Sequence, residues 1–356
     1  MGCEECGSFQ PTKTQLLRQS VLVIPQTELR RRVTKGIAKA GIEFSCHDAV
    51  IIPIGVDLED VIAMLGADTH LTGHQLEQIR IFDFDPGSSD LAWLSTATTA
   101  QKLLVSAGSS QVEECLQREA IETHFQPIVA TASKQVIGYE ALSRGRTSSG
   151  SMIAPDQLFS YAQQTDSIFF LDRLCRETSI RTAASRELQG RLFVNFLPNA
   201  IYDPRQCLKT TLAIADASGF DPRRIVFEVT ESEQIIDFSH LKEIFRYYRS
   251  HGFQVALDDV GSGYAGLNTL VALVPDVIKL DRELIQDIDR EPFKRSVVAG
   301  LIKAARGEGI EVVAEGVETI GELSCVVDLG ASLVQGYVFA RPSADPIREI
   351  EWPNGV

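Results

Sequence analysis

The chain has 356 residues, 44% of them hydrophobic and 23% charged, a composition that is typical of globular proteins and excludes wholesale disorder. Its 34 basic and 48 acidic residues give a formal net charge of −14 at pH 7. That charge argues against a protein that binds a nucleic-acid polymer, since phosphate contacts need Lys and Arg. No apolar stretch approaches the roughly 18 residues that span a bilayer, and the seven cysteines are an odd number, short of a disulfide framework. The sequence therefore predicts a cytoplasmic protein with no membrane partner.

The first 106 residues predict a small α/β domain. Apolar and β-branched runs alternate there with helical patterns, and Thr27 stands where it could cap the first helix. The predicted strands lie at residues 21–25, 41–46, 49–55 and 79–84, and the predicted helices at 27–40, 58–65 and 91–105. A connecting helix is expected within residues 107–120, ahead of a second domain over residues 121–350.

The second domain contains eight short apolar, β-branched runs that alternate with longer helical stretches. Strands buried on both faces have this composition, and eight such units in about 230 residues are typical of a (β/α)8 barrel. The first two runs are joined only by a short linker around residues 131–134, too short for a crossover helix, so that pair should be antiparallel. The fold class predicted is thus α/β, a modified (β/α)8 TIM-like barrel with an antiparallel first strand, preceded by the small α/β domain. The runs are residues 124–129, 136–143, 192–196, 225–230, 254–259, 277–281, 311–316 and 333–339.

Polar side chains stand near the carboxyl ends of seven of these predicted strands. In a barrel these ends converge on one mouth, where active sites are built. Any one of them could instead be a helix cap, a turn residue or a solvated side chain, but seven matching positions favour a site. Five carboxylates cannot share a cleft as anions without cations, and all-oxygen ligands suit Mg²⁺ or Mn²⁺. The residues are Glu140, Asn195, Glu228, Asp258, Asp259, Lys279, Glu315 and Gln335.

At these positions the sequence resembles the EAL-domain phosphodiesterases, which hydrolyse cyclic di-GMP. The signature tripeptide occurs as Glu140-Ala141-Leu142 within YEALSR. The resemblance covers residues 124–342 and extends through VNFLP, FEVTES, LDDVGSGYAGL, IKLD, VAEGVET and VQGYVFARP. The loop reads DDVGSGYAGL where the family commonly has DDFGTGYSSL, and Leu197 stands where Ser is usual. These departures remove no ligand.

The resemblance implies a role for each of these residues. Glu140, Asn195, Glu228 and Asp258 would bind a first cation, and Asp258, Asp259 and Glu315 a second. Lys279 would orient or deprotonate the attacking water, and Glu140 and Glu315 would also take part in catalysis. Arg144, Leu142, Gln335 and Asp281 would contact the substrate, and Glu231 would anchor the loop over residues 260–267.

The activity implied is hydrolysis of cyclic di-GMP to linear pGpG by a homodimer that associates through the barrel. Two divalent cations, Mg²⁺ or Mn²⁺, would support it and Ca²⁺ would inhibit it. The N-terminal domain would regulate it by biasing the loop over residues 260–267. Two alternatives stay open at this point: a receptor of the EAL type that binds the nucleotide without cleaving it, and an unrelated barrel enzyme that uses a divalent ion on a carbonyl substrate.

The N-terminal domain gives few clues to its signal. Cys3 and Cys6 offer two zinc ligands, whereas a structural zinc site needs four. Cys46 and His47 could complete such a site, and a frayed terminus with unpaired thiols is the alternative. A flavin light-sensing domain of the βαββ type often precedes EAL domains and relies on a tyrosine, but no tyrosine occurs before Tyr139. The sequence therefore predicts a regulatory domain of unknown signal.

Overall fold

The computed structural model describes residues 20–67, 71, 73–83, 97–198, 201, 203–230, 238–261 and 266–356. The chain folds as two units, each more densely packed within itself than against the other. Of the described residues, one unit holds those up to Arg118 together with Thr147–Ile168, and the other holds Glu119–Arg146 together with Phe169–Val356. The chain thus leaves the second unit after Arg146 and returns to it at Phe169. Among the described residues, no helix combines the length and hydrophobicity needed to cross a membrane.

The secondary structure begins with an alternation of short strands and helices and then becomes regular. The first elements are β1 (Ser20–Val23), α1 (Thr27–Lys39), β2 (Glu43–His47), β3 (Val50–Ile54), α2 (Leu58–Ala67), α3 (Gly73–Glu77), β4 (Arg80–Asp83), β5 (Thr98–Thr99), α4 (Ala100–Gly108) and α5 (Ser110–Gln117). Next come β6 (Ile121–Ala130), β7 (Val136–Arg146), β8 (Met152–Ile153), α6 (Pro155–Gln164), α7 (Ile168–Ser185), β9 (Arg191–Asn195), α8 (Pro204–Ser218), a 3₁₀ turn (Pro222–Arg224), β10 (Ile225–Thr230) and α9 (Phe238–Ser250). The last are β11 (Gln254–Val260), α10 (Gly266–Leu273), β12 (Val277–Leu280), α11 (Arg282–Ile285), α12 (Pro292–Gly307), β13 (Glu311–Ala314), α13 (Ile320–Leu329) and β14 (Leu333–Val334).

The N-terminal unit is built on a five-stranded sheet in the order β2-β3-β1-β4-β5, in which each paired strand is antiparallel to its neighbour. The chain order β-α-β-β-α-β with this arrangement is ferredoxin-like. Helix α1 buries Leu29, Val33 and Ile37, which recur at the four-residue spacing of one helix face, and they pack in one cluster with Leu22 and Ile51 of the sheet. A small α/β domain was predicted, and the unit has these elements.

Two local predictions in this unit are wrong. Thr27 does not cap α1, because the N-cap is Gln26 and its side chain makes no capping hydrogen bond. The helix predicted over residues 91–105 cannot include Thr98 and Thr99, which form β5 and pair with Arg80 and Ile81. Two consecutive β-branched threonines favour an edge strand over a helical turn. Residues 91–96 lie outside the described residues.

The second unit is a closed barrel in the order β6-β14-β13-β12-β11-β10-β9-β7, completed by pairing of β6 with β7. Strand β6 is antiparallel to both of its neighbours, and the pairings from β7 round to β14 are parallel. This confirms the predicted barrel and its antiparallel first strand. The domain boundaries at residues 106 and 120 stay a prediction.

One apolar layer fills the barrel interior below the mouth. It takes a single buried side chain from each of seven strands, and these side chains form one cluster. Because side chains alternate between the two faces of a strand, the residue two positions further along each strand points into the barrel too. The layer consists of Ile128, Phe193, Val226, Ala256, Val277, Val313 and Leu333.

Candidate active site

The polar residues predicted from the strand ends form the next layer of the barrel interior. Six of them stand two positions after a member of the apolar layer, so each strand delivers an apolar side chain and then a polar one. On β7 the same face carries Gly138 and then Glu140. Strand β6 runs the other way, so its polar residue precedes Ile128 and is Gln126. The six are Asn195, Glu228, Asp258, Lys279, Glu315 and Gln335.

Lys279 lies at the centre of this layer and is 1% exposed. Its Nζ is 2.6 Å from Oε1 of Glu315, 3.0 Å from Oε1 of Glu228, 3.2 Å from Oδ1 of Asp258 and 3.5 Å from Oε2 of Glu140. One ammonium group therefore faces four carboxyl groups from four different strands. A fifth carboxyl group, that of Asp259, lies beside them, so the layer is short of positive charge.

Asp259 joins the site through an irregularity of strand β11. Consecutive residues of a regular strand point to opposite faces, which would turn Asp259 away from the partners of Asp258. The register of β11 with β12 shifts between Leu257 and Val260, and Asp259 has φ 54°, in the left-handed region. Such a bulge re-aims a side chain. Both aspartates can therefore serve one site, and the Asp259 amide donates to Oδ1 of Asp258 at 2.9 Å.

Two groups of three carboxylates have the geometry of metal sites, and they share Asp258. One oxygen from each of Glu140, Glu228 and Asp258 lies within 4.8 Å of the others, and the same holds for Asp258, Asp259 and Glu315. Glu228 is fully buried, and its Oε2 has no hydrogen-bond partner. A buried carboxylate oxygen without a donor is costly unless a cation binds it. The donor set, all oxygen, fits the hard divalent cations predicted from the sequence.

The electrostatics of the layer agree with a shortage of cations. Burial, together with Glu140 and Asp258, raises the pKa of Glu228 well above its usual range despite Lys279. Burial raises the pKa of Asp258 and Glu315 in the same way. Burial alone would lower the pKa of Lys279, but the four carboxyl groups outweigh it and raise that pKa well above its usual range. The ammonium form of Lys279 is thus strongly favoured beside these carboxyl groups.

Amide side chains orient Glu140. Nδ2 of Asn195 donates to its Oε1 at 3.3 Å, and Nε2 of Gln335 donates to its Oε2 at 2.5 Å. Gln335 Nε2 also donates to Oε1 of Gln126 at 3.1 Å, and Gln126 Nε2 donates to the carbonyl of Ala340 at 3.3 Å. Gln126 was not among the residues predicted from the sequence. The signal was its place opposite Glu140 in the antiparallel pair, in a run otherwise suited to a buried strand.

The predicted substrate-binding residues lie at or next to this layer. Leu142 and Arg144 follow Glu140 at two-residue steps on β7 and are half-buried, and Arg144 donates to the carbonyl of Ser143 at 2.8 Å. The carboxyl group of Asp281 caps α11 by accepting from the amide of Glu283, and it lies near the carboxyl group of Asp259. Asp281 thus lies beside the second carboxylate group. The roles predicted for these residues stay predictions.

Three predicted residues cannot be placed. Glu231 and residues 262–265 of its proposed loop lie outside the described residues, as do Cys3 and Cys6. The loop-anchoring role and the zinc alternative therefore stay predictions.

Comparison with known proteins gives the family. The model of the EAL domain family matches residues 109–342, about two thirds of the chain. The blue light- and temperature-regulated antirepressor BluF of Escherichia coli is 29% identical over 256 residues, which are 71% of this chain and 62% of that protein. The cyclic di-GMP phosphodiesterase RocR of Pseudomonas aeruginosa is 30% identical over 234 residues, 64% of this chain and 58% of that protein. The match thus covers less than two thirds of either relative's length.

Solved structures of the family have the same fold. A standalone EAL protein of Vibrio cholerae O395 in its c-di-GMP-bound form is 37% identical, with a TM-score of 0.59 over 65% of this chain and 95% of that chain. BlrP1 of Klebsiella pneumoniae, in a complex with manganese and c-di-GMP, is 24% identical, with a TM-score of 0.59 over 92% of this chain and 97% of that chain. This chain belongs to the EAL domain family, as is shown by the residues that the family model matches, the barrel fold, and the lysine and carboxylates at the barrel mouth.

Proposed function

We propose that the chain is a metal-dependent phosphodiesterase that hydrolyses cyclic di-GMP to linear pGpG. The observation that carries this proposal is the pair of carboxylate triads that share Asp258 around a central lysine. Two cations a few ångströms apart are the arrangement that cleaves phosphodiesters in many enzymes. Relatives named as cyclic di-GMP phosphodiesterases support the choice of substrate.

The cations proposed are Mg²⁺ or Mn²⁺. Glu140, Glu228 and Asp258, with Asn195, would bind the first, and Asp258, Asp259 and Glu315 the second. When bound, the cations supply charge stabilisation for the attacking and leaving oxygens of an in-line displacement. Ca²⁺ is expected to bind the same oxygen ligands and to inhibit, because its larger and more flexible coordination shell orders the site poorly.

The side chains of this chain would bind and orient the substrate and handle its protons. Lys279 Nζ, surrounded by carboxyl groups, would orient the attacking water, and its ammonium form is the one that these neighbours favour. Arg144 would hold the phosphate that is not cleaved, through the bidentate geometry that guanidinium groups offer. Leu142 would pack against the substrate from the same face of β7, and Gln335 would hold Glu140 at the mouth.

A non-catalytic cyclic di-GMP receptor is the second candidate, because the relative BluF is named as an antirepressor. In this chain each predicted metal ligand and the lysine are present. A receptor has no need of five carboxylates at a site that binds an anion, since they oppose binding unless cations neutralise them. The residues therefore favour the enzyme.

Incubation of the purified protein with cyclic di-GMP and Mn²⁺ or Mg²⁺, followed by chromatography of the nucleotides, separates the two. We expect pGpG as the product and no product from Asp258→Asn. The matched control is Asp216→Asn, an exposed aspartate on α8, which should leave turnover unchanged. Binding of cyclic di-GMP without any pGpG at saturating metal would establish the receptor and reject the enzyme.

We also propose a homodimer that forms through the barrel. Helix α12 exposes 83% of Phe293 and 38% of Val297, which stand four residues apart on one face of that helix. A second copy would cover them. The substitution Phe293→Glu should convert the dimer to a monomer in sedimentation or light-scattering measurements, whereas Phe293→Leu should not. A monomeric wild-type protein at micromolar concentration would contradict the proposal.

We also propose that the protein is cytoplasmic and that the N-terminal unit regulates turnover. The loop over residues 260–267 would couple the N-terminal unit to the activity of the barrel. If the unit regulates, deleting residues 1–110 should change turnover severalfold, and Glu231→Ala should weaken both turnover and metal affinity. If the shortened protein matches the full chain in rate, metal dependence and oligomeric state, the coupling is wrong.

A further inference from the structure

A buried ion pair lies on helix α7, outside the layer of polar residues that surrounds Lys279. Asp172 and Arg176 are 3% and 2% exposed, and they stand four residues apart on the helix. Nε and one terminal nitrogen of Arg176 donate to Oδ2 of Asp172 at 3.0 and 2.8 Å. The other terminal nitrogen donates to the hydroxyl of Thr211 on α8 at 2.9 Å. Arg176 thus occupies one oxygen of the carboxylate and leaves the other free.

That second oxygen holds the backbone beyond strand β9. The amide of Leu197 donates to Oδ1 of Asp172 at 3.0 Å. Leu197 comes two residues after Asn195, the last residue of β9, and the pairing of β9 with β7 ends earlier, at Val194. The preceding amide, that of Phe196, donates to the carbonyl of Glu228 at 3.0 Å. The carboxyl group of Asp172 therefore supplies the hydrogen-bond acceptor that a neighbouring strand no longer offers to the Leu197 amide.

An ion pair is an unusual choice for this position. Removing two charges from water costs free energy that their attraction often fails to recover, and an apolar pair of similar volume is commonly as stable. A retained buried pair therefore suggests a need for one defined geometry more than for stability. The group whose geometry it fixes is the backbone next to Asn195. The side-chain Nδ2 of Asn195 already donates to Glu140, so Oδ1 of Asn195 is the atom left for a cation.

We propose that Asp172 is a positioning residue for the first cation, and that Arg176 neutralises its buried charge. The inference rests on the proposed function, because it concerns a ligand of the cation proposed there. Asp172 itself touches neither substrate nor metal. It fixes the Leu197 amide, and through two peptide units it fixes the direction in which Asn195 projects.

Two double variants that differ only at residue 172 test the inference. Both carry Arg176→Met, which removes the partner charge and keeps an unbranched side chain of similar length. Asp172→Asn retains an acceptor for the Leu197 amide, and Asp172→Leu does not. Mn²⁺ affinity is measured by calorimetry on the full-length protein without substrate, along with melting temperature and hydrogen exchange of the Leu197 amide.

We expect the Leu variant to bind Mn²⁺ about tenfold more weakly than wild type, as is common when a residue that orients a metal ligand is lost. The Asn variant should keep both the affinity and the protection of the amide. Equal Mn²⁺ affinities in the two variants would overturn the inference and leave the pair a purely structural element. Where the Leu variant does not fold, Asp172→Ala in the same background replaces it, because it also offers no acceptor and adds no bulk.

The outcome for wild type separates this inference from the proposed function. A wild-type protein that binds Mn²⁺ but releases no pGpG rejects the enzyme, and the comparison of the two variants still decides the role of Asp172. A wild-type protein that binds no Mn²⁺ overturns both.

Discussion

Replacing Lys279 with Met tests how much this one ammonium group stabilises the surrounding carboxyl groups when no metal is bound. The four Nζ–oxygen distances of 2.6–3.5 Å each correspond to about 5 kcal/mol of attraction at an effective dielectric constant near 20, before desolvation is subtracted. Loss of one partner from a buried ion pair has a net cost of about 3–5 kcal/mol. For a unit of this size, that cost lowers the melting temperature by about 6–20 °C.

A divalent cation should rescue the stability of the Lys279→Met protein. A bound cation supplies the positive charge that the variant lacks, so Mn²⁺ should raise the melting temperature more in the variant than in wild type. The assay is thermal unfolding followed by circular dichroism, in EDTA and in Mn²⁺. Lys303→Met, at an exposed position of α12, is the control and should behave as wild type in both conditions. If Lys279→Met is equally destabilised with and without Mn²⁺, the charge argument is refuted.

Three further predictions concern turnover and metal binding. Glu140→Ala should lower turnover by about 10²-fold or more, on the order of 3 kcal/mol in the barrier, with an unchanged circular dichroism spectrum; near-normal turnover would contradict its role. EDTA should abolish hydrolysis, Mg²⁺ or Mn²⁺ should restore it, and Ca²⁺ should bind with little turnover, whereas full activity in EDTA would reject the metal assignment. Burial, followed by Asp258 and Asp281, raises the pKa of Asp259 to about 7 without metal, so this carboxyl group is protonated below that pH. Because a cation must displace that proton, apparent affinity for the second cation should fall as pH drops below about 7, and Asp259→Asn should weaken this dependence in calorimetric titrations.

The barrel and most of its mouth could be predicted because the relevant pattern is local. Val226 and Glu228 stand two positions apart and therefore lie on the same face of one strand. A charged residue is unusual in an otherwise apolar buried strand, so its position is visible in the sequence. Repetition of this step in strand after strand gave the site before any contact was known. The same pattern predicted that Lys279 lies among carboxylates. It could not predict the four short distances that make Lys279 their common partner.

What could not be predicted depends on contacts between residues far apart in the sequence. Gln126 was missed because its strand is antiparallel, which reverses the order of the apolar and polar positions. Asp259 could be suspected from its neighbour, but the left-handed backbone that re-aims it follows from the register of β11 with β12. The Asp172–Arg176 pair resembles any helical i, i+4 pair in the sequence, since only the fold brings the Leu197 amide to it.

The grouping of Thr147–Ile168 with the N-terminal unit has a consequence for synthesis on the ribosome. Strands β6 and β7 are translated before this segment, yet the N-terminal unit is incomplete until residue 168 has emerged. At about 5–20 residues per second, the hairpin of β6 and β7 therefore waits for roughly 10–40 s, until β14 is made and the barrel can close. The N-terminal unit can be finished well before that. One crossover at residue 118 would therefore exchange this unit without Thr147–Ile168, and the buried residues Ile153, Leu158 and Tyr161 would stay with the barrel.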